Sequence, residues 1–153
     1  MEKFLQQNFV AVWHHFLYFE INRSRFAVEN FGSANAYLIF QVIAWHYILV
    51  MMDEDEAQVR EEAVKLWFQL TKTGFQTRTV LTYSLISSLT SLSIETVRRQ
   101  VKKLEIKNWV FYSKKEGVKY SPSEENNKFL ADVFNTKEVK DLGRFLDLIE
   151  KQK

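Results

Sequence analysis

Cysteine is absent from the 153 residues, which excludes disulfides and thiolate metal sites. Glycine occurs four times and proline once, at Pro122. With so few glycines, neither G-x-G-x-x-G nor G-x-x-x-x-G-K can be built, so no phosphate-cradling loop is expected. The chain also lacks a G-x-S-x-G elbow and an H-E-x-x-H pair, which removes the usual marks of a serine hydrolase or zinc protease. Histidine is limited to His14, His15 and His46. Neighbouring positions on a helix point about 100° apart, so the adjacent pair is poorly placed to share a tetrahedral ion. No metal, cofactor or catalytic constellation is expected, and an enzyme is the least expected class. The start, Met1-Glu2-Lys3-Phe4-Leu5, has no basic stretch ahead of an apolar one. A signal peptide is therefore not expected, and with no cysteine the cytoplasm is the expected location.

Aromatic side chains are plentiful at 15%, with 13 phenylalanines, and the apolar fraction of 46% is that of an ordinary globular protein. A chain of this length can bury a sizeable core as one compact domain. The net charge is only +2, but the charges are segregated. Residues 53–62 are strongly acidic. Residues 98–119 carry Arg98, Arg99, Lys102, Lys103, Lys107, Lys114, Lys115 and Lys119 against Glu105 and Glu116. Such segregation puts a local positive footprint on a nearly neutral protein.

Hydrophobic periodicity predicts a mainly helical chain. Residues 3–20 read as a helix with Leu5, Phe9, Val12, Trp13, Phe16 and Leu17 on a broad apolar stripe. That surface either closes the core or meets a second subunit. Residues 21–32 read as a connector or short helical turn ending at Gly32, with Ser33 placed to cap the next helix. Residues 36–52 carry no charge. The run is short for a membrane span, contains Gln41 and His46, and lacks a basic flank, so a buried central helix is expected and no membrane. The helix after it is expected to begin near Asp53 or Asp55, to bury Val59, Ala63, Leu66, Trp67 and Leu70, and to stop at Gly74. Residues 75–81 suit a short strand. Residues 123–134 suit a helix with Phe129, Leu130 and Val133 inward. Asn135-Thr136-Lys137-Glu138 has the form of a capping box opening a last amphipathic helix on Val139, Leu142, Phe145, Leu146 and Ile149.

Residues 82–122 carry the functional signal. Thr82 or Ser84 would cap a helix with Leu85, Ile86 and Leu89 inward. Ser87 is small enough for a second helix to come close. Ser93 would cap that second helix. In it Val97, Val101 and Leu104 share one face at i, i+4 and i+7, while Glu95, Thr96, Arg99, Lys102 and Lys103 fall opposite and Arg98 flanks them. Asn108 suits a left-handed cap. Residues 110–112 and 118–120 then suit two strands about a tip at residues 114–117. A helix apolar on one side and basic on the other has the shape of a major-groove reader.

Ser93-Ile94-Glu95-Thr96-Val97-Arg98-Arg99 resembles the Crp-type recognition pattern Ser-Arg-Glu-Thr-Val-x-Arg. Lys103-Leu104-Glu105-Ile106-Lys107-Asn108-Trp109-Val110 is similar to the Arg-Leu-Glu-x-x-Gly-Leu-Ile that leads into a wing. Over these roughly 40 residues the chain resembles the winged helix-turn-helix domains of bacterial transcription regulators. It departs from them at Ser91, where they have a turn glycine, and at Ile94, where they have an arginine that reads bases. Helices at both ends are similar to a MarR-like arrangement, in which terminal helices build a dimer. The resemblance implies a mainly α fold with a small β wing. Residues 1–74 would be a helical core or dimerisation region, 75–122 the winged helix-turn-helix and 123–153 C-terminal helices. It implies double-stranded DNA as partner, Ser93, Glu95, Thr96, Arg98, Arg99, Lys102 and Lys103 on the reading helix, and Lys114, Lys115 and Lys119 on phosphates. In that reading Arg99 pairs with guanine and Glu95 accepts from cytosine.

Two other readings stand beside a homodimeric DNA-binding regulator. A winged domain can serve protein contact alone, since fold does not settle function. A ligand-responsive regulator would use Trp13, Phe16, Tyr37, Phe40, Trp45, Tyr47, Trp67 and Phe68 to line a pocket for a small aromatic ligand. The same residues also read as core.

Overall fold

The computed structural model describes residues 1–52 and 59–151. The chain opens with α1 (Glu2–Gln7) and α2 (Phe9–Phe31), followed by α3 (Ala34–Met52), α4 (Arg60–Thr73), α5 (Tyr83–Thr90) and α6 (Ile94–Ile106). A hairpin of β1 (Val110–Ser113) and β2 (Gly117–Tyr120) leads to α7 (Glu124–Phe129), a π-helical segment (Leu130–Asn135) and α8 (Thr136–Glu150). The protein is mainly helical with one small two-stranded antiparallel sheet, in which Val110 faces Tyr120 and Ser113 faces Gly117.

α3 lies at the centre, against α2, α4, α5, α6 and β2. It is long and apolar enough to cross a membrane by length and composition. One face buries Phe40, Ile43, Tyr47 and Met51 inside the fold. Around that face the aromatic rings interlock. Phe31 lies 4.4 Å from Phe40 and 5.0 Å from Trp109, and Trp67 lies 4.8 Å from Tyr120, centroid to centroid. Offset and edge-on packing at these distances adds roughly 0.5–1.5 kcal/mol per pair to the gain from burial itself.

Several local expectations differ from the structure. Residues 21–31 are not a connector: α2 continues to Phe31 because Phe26, Ala27 and Phe31 pack into the core, and it stops at Gly32 in the left-handed region (φ 92°). The first helix breaks at Asn8, giving α1 and α2. Ser33 caps α3, accepting from the Ala36 N–H at 3.0 Å. The expected start of α4 at Asp53 or Asp55 lies outside the described residues. Val59 is exposed, whereas Trp67 is buried. Residues 75–81 form no strand. Instead the Leu81 carbonyl alone accepts from the Val118 N–H of β2, at 2.8 Å. The capping box at 135–138 does not form, because both of its side chains are held by distant partners. Arg60 donates to Asn135 Oδ1, to the Ala131 carbonyl and to Thr136 Oγ1. Arg23 and the Tyr37 hydroxyl, each at 3.0 Å, donate to Glu138. The chain therefore runs from α7 to α8 through the π-helical turn without a break. Val133 and Leu89 face outward rather than inward.

A buried polar knot joins α4, β2 and α7. Trp67 Nε1 (3.0 Å) and the Tyr120 hydroxyl (2.8 Å) both donate to Asn127 Oδ1. Burial pushes the phenols of Tyr37, Tyr47 and Tyr120 above their ordinary value near 10, and the Glu138 carboxylate pushes Tyr37 further. Their neutral forms are thus favoured in the folded chain, so stability is complete below the unfolded value and falls as pH rises past it. Denaturant melts are expected to hold level from neutral pH up to about pH 10 and to lose stability above it. The absorbance change of these phenols is expected to appear together with the loss of helical circular dichroism, not before it.

Candidate nucleic-acid interface

α5 and α6 are joined by Ser91, Leu92 and Ser93, and each is fixed by local chemistry. The Thr82 hydroxyl caps α5 by accepting from the Leu85 N–H at 3.1 Å. The Ser87 hydroxyl donates to the Leu92 carbonyl at 2.6 Å, tying α5 to the turn. Ser91 adopts the left-handed region (φ 58°) that glycine enters at less cost. Ser93 Oγ accepts from the Thr96 N–H at 3.1 Å and lies 2.9 Å from the Thr96 hydroxyl, so Ser93 and Thr96 both serve the start of α6.

α6 buries Val97, Gln100, Val101 and Leu104 against α3, α5 and β1. Gln100 is a core residue that the sequence did not reveal, with its carboxamide oxygen 3.3 Å from the Ser33 hydroxyl. The opposite face exposes Glu95, Arg98, Arg99, Lys102 and Lys103 to solvent. Arg98 pairs with Glu95 at 3.2 Å, one turn apart, and its guanidinium sits 5.9 Å from the Tyr83 ring centroid. Arg99, Lys102 and Lys103 form no ion pair among the described residues. Ile94, 45% exposed, stands beside them at the N-terminal end of α6.

Asn108, in the left-handed region (φ 57°), ends the helix and turns the chain into β1. Glu105 on α6 accepts from the Tyr112 N–H at 2.8 Å, so the helix and the hairpin are locked together. Lys114 and Lys115 are exposed at the tip. Lys119 is paired with Glu116 instead of being a free cation. That hydrogen bond holds the Glu116 carboxyl below its ordinary value and the Lys119 ammonium above its own. Tyr83 and Tyr112 stack at 4.3 Å between helix and hairpin. Burial first, then the charge of Tyr112 and Glu105, pushes the Tyr83 phenol up to about 12. No spacing in the sequence links these two tyrosines, which meet only through the fold.

The structure thus brings Glu95, Arg98, Arg99, Lys102 and Lys103 together on one exposed face, with Lys114 and Lys115 on the adjoining hairpin. It does not bring the eight aromatic candidates around one cavity. Tyr37, Phe40, Tyr47 and Trp67 are buried in the core, Trp45 is exposed on α3, and Trp13 and Phe16 lie on α2. No protein-family model, no curated protein and no solved structure matches the chain.

The hairpin depends on Gly117. Its φ is 68°, and a Cβ there would lie 2.5 Å from the Leu81 carbonyl oxygen and 2.7 Å from Val80 Cγ1. Gly117→Ala is expected to cost about 1–3 kcal/mol in urea unfolding, since strain and clash act together. Gly143→Ala, with open space around its Cβ position, is the control and should leave stability level or raise it.

Proposed function

We propose that this chain is a DNA-binding transcription regulator of winged helix-turn-helix type. It acts as a homodimer in the cytoplasm, with α6 entering the major groove and the β1–β2 hairpin as a wing on the backbone. The observation that carries this reading is the exposed face of α6. Arg98, Arg99, Lys102 and Lys103 point to solvent from a helix whose other side is core. In this reading Lys114 and Lys115 hold phosphates, which fixes register without reading sequence. Arg99 has no ion-pair partner among the described residues and is the candidate for a bidentate contact to guanine. Arg98 and Glu95 must loosen their mutual pair to do the same, and Lys119 must leave Glu116. Two copies related by a dyad would present their α6 helices about 34 Å apart, one turn of the duplex.

Ile94 and Phe111 are large exposed apolar groups beside the basic residues. They favour the second reading, in which the same surface meets a protein.

Anisotropy titrations with random-sequence duplex across a salt series separate the two. Affinity is expected to fall linearly on a log–log plot, with a slope of about −0.9 per phosphate neutralised. Replacing Lys114 and Lys115 by Ala should make the slope shallower by about 2 on every sequence. On a selected site, Arg99→Ala should cost about 1–3 kcal/mol and relax preference at one base pair. No binding at low salt would remove the DNA reading and leave the protein-contact one.

A further inference from the structure

Two large apolar surfaces have no cover among the described residues. One is a ridge on the outer face of α3. Leu38, Trp45, Ile48, Leu49 and Met52 fall within about 100° of the helix circumference and span about 21 Å along it, with the half-buried Val42 at their edge. Trp45 is 54% and Met52 72% exposed. The other is a cleft of about 400 Å³ between α1, α2 and α8, lined by Leu5, Phe9, Trp13, Phe16, Phe145 and Leu146 among others. Its only polar side chains among the described residues are Glu2 and Gln6. Around it Val10, Leu17 and Ile21 on α2 and Leu142 on α8 are also exposed.

We infer that the two surfaces cover each other between two copies of this chain, with the α3 ridge of each protomer seated in the terminal-helix cleft of its partner. This deepens the homodimer part of the proposed function and does not depend on whether α6 meets DNA. Shape is the first support: one surface is convex, the other concave, and a cleft of this volume takes two or three large side chains. Charge is the second. The ridge carries none, and the cleft lining carries only Glu2 at its edge, so neither surface selects a charged partner. Size is the third. With about 200 Å² for a whole large side chain, the ridge exposes roughly 500 Å² and the terminal helices roughly 1,000 Å². A stable interface needs about 800 Å² from each partner. The ridge alone falls short of that. Ridge and cleft engaged together on both sides of a dyad reach it, and a closed two-fold contact uses each surface once.

The chain has no cysteine, so single introduced thiols report contacts without background. Sedimentation of the full chain is expected to give a dimer. Ile48→Glu should give a monomer with unchanged far-ultraviolet circular dichroism. Under mild oxidation, a mixture of Ile48→Cys and Leu146→Cys chains should form the mixed disulfide faster than either chain alone forms its own. Faster linkage of Ile48→Cys to itself would mean ridge against ridge and would overturn the inference, as would faster linkage of Leu146→Cys to itself. A monomer at all concentrations, or a dimer untouched by Ile48→Glu, would do the same. Binding of random duplex at low salt, read on the same samples, keeps the two claims apart. A cross-linked dimer that ignores DNA removes only the DNA-binding function, and a monomer that binds DNA removes only this interface.

Discussion

None of the 19 residues of α3 is charged, and most of this fold is the cover for its inner face. Its inner face is met by Phe31 from α2, Val101 and Leu104 from α6, and Tyr120 from β2. Each large side chain removed from water there contributes about 1.5–3 kcal/mol relative to exposure. α6 therefore has no freedom to rotate. Its valines and leucine are fixed against α5 and α3, so the arginines and lysines at intervening positions must face outward. The charged surface is a consequence of the apolar packing behind it.

Polar contacts at a distance decide the rest. Glu138 joins Arg23 of α2 and Tyr37 of α3 to α8. Arg60 joins the start of α4 to the π-helical turn. In both cases a side chain suited to capping its own helix is taken by a group far away in the chain. At such part-buried sites a hydrogen bond to a charged group is worth about 1.5–3 kcal/mol, more than a cap.

The same distinction explains which parts of the structure were legible in the sequence. α6, the caps at Thr82, Ser93 and Ser33, and the left-handed ends at Gly32 and Asn108 depend on neighbours within a few residues. They could be read directly. The outward face of α6 followed from periodicity alone. The second half of α2 was hidden because Asn22, Arg23 and Arg25 interrupt its apolar pattern, while Phe26, Ala27 and Phe31 find their partners elsewhere. The strand at 75–81 was expected from the resemblance to a winged fold, yet the stretch meets the hairpin through side chains and the one backbone bond at Leu81. Gln100 is buried beside Ser33, and apolar spacing does not mark a polar residue as core. The pairing of Lys119 with Glu116 needed the hairpin register, which the sequence leaves open. The exposed apolar faces of α3 and α8 had the pattern of core, and periodicity does not say whether the covering surface belongs to the same molecule.

The Asn127 knot has a mechanical consequence for the hairpin. One carboxamide oxygen, gripped by an indole from α4 and a phenol from β2, pins the base of the ribbon into the body. Glu105 pins its first strand to α6. The short bend carrying Lys114 and Lys115 is closed within itself, by the Glu116 N–H donating to Ser113 Oγ at 3.1 Å. The ribbon is thus anchored at its base and along its first strand, so that a force applied at its tip would be carried into the core at Asn127 and into α6 at Glu105.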